Sequence, residues 1–302
     1  MPSDALRDIS PVAVIGPGRV GRTLAVALRR LGAEVVLGVR PERLAAAGGA
    51  RSEDGLPQDG AIGAATGAVL VVLCVQDDQL PTLITDLAAH GAFGEGQTVV
   101  HTAGVDGPGL LTPAKAAGAR TVASHPVASF TYDLDANLER LHGTIWGITG
   151  DAGGRAAGRR LAELLGGYAM DVPENGRARY HAALVLAANG AAALAATAAD
   201  LLRAGGVIDP AALLARLVHT SIDSALTTGQ AGLSGPWVRG DGRTVAMHLE
   251  ALERRAKLQS VYAALARLVG DRAASAGRLD TETRRRIEAA LDERMDEFDG
   301  DG

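Results

Sequence analysis

Three glycines stand as G-x-G-x-x-G in Gly16-Pro17-Gly18-Arg19-Val20-Gly21, directly behind an apolar run at residues 12–15. Such a loop can do phosphate chemistry. The first glycine allows a tight turn off a strand. The second lets the backbone approach a pyrophosphate, and the third brings the next helix close to the strand. The helix N-terminus then offers unpaired N–H groups and a partial positive charge. The competing reading is a glycine turn that only packs a helix; the strand–loop–helix–strand order around it favours dinucleotide binding. Where an NAD site carries an acidic residue at the end of the second strand, this chain has Arg40, followed by Pro41 and Arg43. A guanidinium suits a 2′-phosphate through paired charge-assisted hydrogen bonds, which points to NADP(H). The alternative is that Arg40 and Arg43 are solvated residues opening the next helix. The expected cofactor-binding set is Gly16, Gly18, Arg19, Val20, Gly21, Arg40, Cys74, Val75, Gln76 and Thr102.

Hydride transfer to a C=O or C=N needs a held nicotinamide, a donor that polarises the acceptor, and a proton for the developing oxyanion or amine. His125 is the first candidate for the proton donor. It ends a strand, and an unperturbed imidazole pKa of about 6.5 suits acid–base work near neutrality. The bland alternative is a histidine that caps a turn through backbone bonds. Ser129 could add a hydroxyl donor. Asn189 lies in a helix of nearly all Ala, Leu and Val. A buried amide without partners costs on the order of 1–3 kcal/mol, so Asn189 should bond either a neighbouring helix or substrate. His181, eight residues earlier, sits about 80° round the helix, on the cleft face or on the hinge surface. Arg239 either clamps a substrate carboxylate or is a solvated neighbour of Asp241, which is expected to cap a helix. His248 reads as a helix-face residue. The seven histidines are dispersed, and neither H-E-x-x-H nor paired cysteines occur, so no metal site is expected.

The elements that must position these residues follow from periodicity. Residues 12–15, 34–39, 68–75, 97–101, 120–123 and 143–149 read as strands, the last being the final strand of the sheet. A helix follows the glycine loop, a short one is expected at 41–47, and residues 50–60 read as a surface loop. Strands alternating with helices imply an α/β fold with a doubly wound parallel Rossmann sheet. Ligands on such a sheet bind beyond the carboxyl ends of its strands, which selects Gln76, Thr102, His125 and Ser129. Residues 168–172 form a short extended segment and Pro173 marks a hinge. Beyond it only helical periods appear: 174–204, 210–228 opened by Asp209, 241–270, and a last helix with Ile287, Leu291, Met295 and Phe298 on one face. Two domains are expected, an NADP(H)-binding domain at 1–172 and an all-helical substrate and dimerisation domain at 173–302.

Composition removes other classes. The 302 residues suffice for two domains. The net charge is −5 and the basic residues are scattered, so nothing suggests a nucleic-acid partner. Residues 182–199 are mostly alanine with Asn189 among them, which reads as a buried helix of a soluble protein rather than a membrane span. The N-terminus shows no signal-peptide pattern. The lone cysteine, Cys74, fits a reducing cytoplasm. The Ala-rich helical half suggests a homodimer formed by helix packing.

This element order resembles the 6-phosphogluconate and 3-hydroxyacid dehydrogenase superfamily. More closely it is similar to Rossmann-like proteins whose helical half is a domain of unknown function. The matching pieces are the glycine loop, His101-Thr102-Ala103-Gly104, the stretch from Ser124 to Phe130, Tyr180-His181-Ala182 with Asn189, and Leu233 to Asp241 with His248. The resemblance aligns Pro126-Val127 with the Pro-Val before a substrate-binding serine. It also matches Asn189 to a catalytic Asn, but four residues earlier the superfamily Lys is replaced by Val185, which donates no proton. Some similar proteins are linked with ketopantoate reduction. The resemblance therefore implies an NADPH-dependent reductase of a small carbonyl compound, such as a 2-oxo acid. An imine reductase of the pyrroline-carboxylate type or a non-catalytic NADP(H)-binding regulator keeps the same architecture.

Overall fold

The computed structural model describes residues 8–40, 51–252 and 255–299. The helix expected at 41–47 lies outside them, as do Arg43 and the side chains of Met295 and Phe298. The apolar run near the start forms β1 (Val12–Ile15). Its side chains alternate between two core layers, Val12 and Val14 in one and Ala13 and Ile15 in the other. A strand buried on both faces belongs inside a parallel sheet covered by helices. After it come α1 (Arg19–Arg30), β2 (Val35–Val39), β3 (Gln58–Gly60), α2 (Ala61–Ala65), β4 (Leu70–Leu73), α3 (Leu80–Ala89), β5 (Thr98–His101), α4 (Thr112–Ala116) and β6 (Arg120–Pro126). Then α5 (Leu134–Leu141), β7 (Ile145–Gly150), α6 (Ala152–Leu164) and β8 (Tyr168–Asp171) complete one eight-stranded sheet.

The strand order is β3-β2-β1-β4-β5-β6-β7-β8. Every neighbouring pair is parallel except β6 and β7. The chain runs outward from β1 to β3, then returns to the other side of β1 as β4. That reversal opens a crevice at the carboxyl ends of β1 and β4, where ligands of doubly wound sheets bind.

Two expectations about the sheet are corrected. Residues 50–60 are not only a loop: they supply β3, and Asp54 accepts hydrogen bonds from Arg22 Nε and Nη2 at 2.6 and 2.7 Å. The strand at 145–150 is not the last, because β8 pairs with it on the outside. Both missed strands lie at sheet edges. β8 leaves Tyr168 and Met170 exposed, so it carries no apolar run to betray it.

The chain forms two compact units, residues 1–190 and 191–302. The sequence pattern changes at 172/173, yet the contacts divide within the long helix. That helix comprises a 3₁₀ turn, α7 (Arg177–Leu184), a π-turn (Val185–Gly190) and α8 (Ala191–Ala204). Its first part stays with the sheet because Arg177 is buried in it. The helix is not the buried one expected. An 18-residue window of Glu174–Ala204 has a mean hydropathy of 1.7 but is only 6% buried, and Leu186 is 76% exposed. By length and composition alone this run is apolar enough to cross a membrane.

In the second unit come α9 (Pro210–Thr228), α10 (Pro236–Arg239), α11 (Gly242–Ala251), α12 (Ala256–Ser275) and α13 (Thr281–Asp299). Asp209 caps α9 through Ala212 N–H at 3.0 Å. The single helix expected from 241 to 270 is instead two, α11 and α12. Val245, Leu249, Ala263, Ala266, Ile287 and Leu291 form the core of this unit.

Candidate functional site

The glycine loop behaves as its spacing requires. Gly16 turns off β1 at φ +99°, a conformation side chains disfavour, and a Cβ there would lie 2.8 Å from the Cys74 carbonyl and Val75 N. A Cβ on Gly21 would collide with the Gly16 carbonyl oxygen, so α1 could not approach β1. Gly18 faces open space. Beside the loop lies a cleft of about 970 Å³ lined by Gly16, Gly18, Arg40, Cys74, Val75 and Gln76. Six expected cofactor residues thus share one wall system at the switch point. Arg40 is exposed at the end of β2. Burial pushes the Cys74 thiol up to about 12, against a smaller opposing hydrogen bond with Thr102, so it lines the cleft as a neutral group. Thr102 Oγ1 donates to Leu73 O at 3.4 Å. Arg19 and Val20 begin α1. Val20 packs against the core, and Arg19 lines the flank of α1 with its guanidinium 5.3 Å from the centre of the Tyr132 ring.

Farther along the same sheet edge, β6 delivers His125. Strands two apart in a sheet are separated by about 10 Å, which is the offset between the ends of β4 and β6. His125 Nδ1 lies 2.9 Å from the Tyr180 hydroxyl of α7, and the rings meet edge-on with centroids 5.8 Å apart. The His181 ring stands edge-on to His125 at 5.7 Å. Beneath them Arg177 is 1% exposed. Its Nη1 donates to Thr149 Oγ1 at 2.9 Å and its Nη2 to the Ala103 carbonyl at 2.7 Å. Its guanidinium carbon is 5.9 Å from the centre of the Tyr180 ring. Two glycines make room for this cluster. Gly147 stands opposite His125 in the β6–β7 register, and a Cβ there would collide with the Tyr180 hydroxyl. A Cβ on Gly104 would collide with the His181 ring.

The electrostatics alter the part His125 can play. Burial, then His181, Arg177 and His101, push its pKa down to about 4, so it is neutral near pH 7 rather than partly charged. His101 is fully buried, with Nε2 3.0 Å from Gly107 O, and burial takes it down to about 4 as well. Tyr180 is raised by burial against a smaller lowering by Arg177. Arg177 itself is lowered by burial, opposed by Tyr180, Asp106 and Glu174.

The chain matches the model of a Rossmann-like domain over residues 3–126 and that of a domain of unknown function, DUF2520, over residues 144–269. The bond between His125 and Tyr180 therefore links the two matched stretches, inside the first compact unit. Among solved structures the fold is similar to protein BF3122 from Bacteroides fragilis, 20% identical over 87% of this chain and 99% of that one, with TM-score 0.70. It is similar to an imine reductase from Myxococcus stipitatus in complex with NADP+, 18% identical over 88% of this chain and 95% of that one, with TM-score 0.63. It is also similar to a reductive aminase from Aspergillus terreus in complex with NADPH and ethyl levulinate, 19% identical over 93% and 99%, with TM-score 0.57. A comparison with curated proteins finds no match.

The remaining expected residues have other surroundings. Ser129 is exposed in the loop after β6. Asn189, in the DUF2520 stretch, is exposed in the π-turn, so the argument from a buried amide does not hold for it. Arg239 is exposed at the end of α10 in the second unit. Asp241 does cap α11: its Oδ1 accepts from Thr244 N–H at 3.0 Å. His248 Nδ1 lies 2.7 Å from the Tyr262 hydroxyl, which also accepts from Trp237 Nε1 at 3.0 Å. The motif around residues 233–248 thus supplies part of the second unit's core. Sequence reasoning did not assign chemistry to Tyr180 or Arg177. The available signal was a glycine within a strand, Gly147, which marks close approach by another group.

Proposed function

We propose that the protein is an NADPH-dependent reductase that acts on a small carbonyl compound, a 2-oxo acid such as ketopantoate. The observation that carries this reading is the cleft at the switch point, walled by Gly16, Gly18, Arg40, Cys74, Val75 and Gln76. Its residues fit a dinucleotide phosphate. A Cβ on Gly16 or Gly21 would break the cradle, open space lies above Gly18, and the N-terminus of α1 offers free N–H groups. Arg40 can pair with a 2′-phosphate. Bound NADPH supplies the hydride. The His125 cluster, two strands along the same edge, lies within reach of a cofactor stretched over the strand ends. Arg177 puts a buried positive charge beneath that cluster, which favours a developing oxyanion over an iminium cation. Ser129, at the end of the same strand-to-loop segment, can help orient substrate.

Imine reduction is the second reading. It is favoured by the likeness to an imine reductase and a reductive aminase and by Val185 in place of lysine. The decisive experiment is a fluorescence titration with NADPH and NADH, followed by assays on oxo acids and cyclic imines. Preference for NADPH with turnover of an oxo acid supports the proposal. Turnover of imines alone moves it to the second reading, and binding without turnover of either indicates a regulator. Failure to bind either cofactor overturns it.

We also propose that the protein is a homodimer. Leu186 on the long helix and Leu213, Leu217 and Leu226 on α9 are exposed, and pairing with a second copy would remove them from water. A monomer in sedimentation analysis, or partition into vesicles, would overturn this.

A further inference from the structure

Resting on the reductase reading, we propose that Tyr180 delivers the proton to the acceptor, with His125 and Arg177 as positioning residues that hold and polarise its hydroxyl. Four groups at this end of the sheet can be set aside as donors. His101 and Ser124 are fully buried, Arg177 is 1% exposed, and His125 is a neutral imidazole near pH 7. Tyr180 is half-buried, carries an O–H at neutral pH, and lies 2.9 Å from His125 Nδ1. With the His125 proton on Nδ1, the imidazole donates to the Tyr180 oxygen and leaves the phenol proton free for the acceptor. The groups facing Tyr180 are His125 from β6 and Arg177 from the long helix, and the His181 ring stands against the other side of the cluster at His125. Asp106 acts on Arg177 from the loop after β5, and Glu174 from the 3₁₀ turn that opens the long helix.

Hydride adds to the acceptor carbon while the C=O π pair moves to oxygen. The Tyr180 O–H bond breaks and an O–H bond forms on the product. The resulting phenolate is held by His125 Nδ1–H and by the charge of Arg177, and it regains a proton from solvent. NADPH is the reductant, as the reading above requires. The role of Gly147 follows: only a glycine there leaves room for the hydroxyl beside β7.

The test uses the full chain and Tyr180→Phe, His181→Ala, His125→Phe and Arg177→Met. Tyr180→Phe should bind NADPH within about twofold of wild type, yet lose roughly 100-fold or more in kcat with little change in KM. In protein labelled at tyrosine Cζ and free of cofactor, the Tyr180 carbon resonance should titrate at higher pH in Arg177→Met, which removes a charge that favours phenolate. It should also shift in His125→Phe. Retention of kcat within threefold in Tyr180→Phe overturns the proposal. So does a comparable loss in His181→Ala alone, which reassigns the proton to His181. A Tyr180 resonance indifferent to both positioning variants overturns the roles of His125 and Arg177. If wild type binds NADPH but reduces neither oxo acids nor imines, the reductase reading itself falls. A defect confined to Tyr180→Phe leaves that reading standing.

Discussion

Replacing His101 with Gln should blunt the acid destabilisation of the first unit. His101 is fully buried, its Nε2 faces Gly107 O, and its Nδ1 has no hydrogen-bond partner among the described residues. A proton added at Nδ1 would be buried without an acceptor. The folded pKa of about 4 lies below the ordinary 6.5. Between those values the unfolded chain binds more protons, so the contribution is complete above pH 6.5 and is lost as pH falls toward 4. The gap corresponds to about 3 kcal/mol in all, of which about 2 kcal/mol is gone by pH 5. His125, also brought to about 4, adds a similar loss over the same window. Asp54 and Asp151 are held below 3.8 by Arg22 and by the Gly154 N–H, so their contributions fade only at lower pH. The glutamine keeps an N–H for Gly107 O and cannot titrate. The two tryptophans make the assay clean. Trp146 is buried in the first unit, so in a Trp237→Phe background its fluorescence reports urea unfolding of that unit alone. From pH 7 to pH 5 the parent should lose about 4 kcal/mol and the His101→Gln variant about 2 kcal/mol. Equal losses would refute the placement of a neutral, strongly depressed histidine at this position.

Two further outcomes are expected. Arg177→Met removes charge-assisted bonds to Ala103 O and Thr149 Oγ1, and relief of the arginine's burial offsets part of the cost. A net loss of roughly 2–3 kcal/mol should lower the first unit's Tm by about 4–12 °C in calorimetry, and an unchanged Tm would show that these bonds contribute nothing. Arg40→Ala should weaken NADPH binding roughly 10- to 100-fold, the worth of one or two charge-assisted bonds, while NADH binding stays constant; equal effects on both would remove Arg40 from the 2′-phosphate.

Local rules made half of this molecule legible. The strand, glycine loop and first helix follow from sterics within a few residues: Gly16 needs its positive φ whatever the rest of the chain does. Asp209 and Asp241 announce their helices because a cap bonds an N–H only three residues on. Arg40 was visible because its place is set by the strand before it. The edge strands β3 and β8 were not, since an edge strand needs no buried apolar run. Nor was the reversed direction of β7, which depends on the partner it meets.

The candidate site divides along the same line. Composition and spacing alone determined a doubly wound sheet, a glycine-rich loop with an arginine at the end of the next strand, and a histidine at a strand end. Tertiary structure alone decided what that histidine touches. His125 and Tyr180 are 55 residues apart, and Arg177 reaches Ala103 across 74. Burial then took His125 from an ordinary pKa to about 4, which makes it a neutral imidazole near pH 7. Asn189 went the other way: its apolar sequence neighbours implied burial, yet its side chain is exposed. Periodicity states which face of a helix is apolar. Only packing states whether anything covers it.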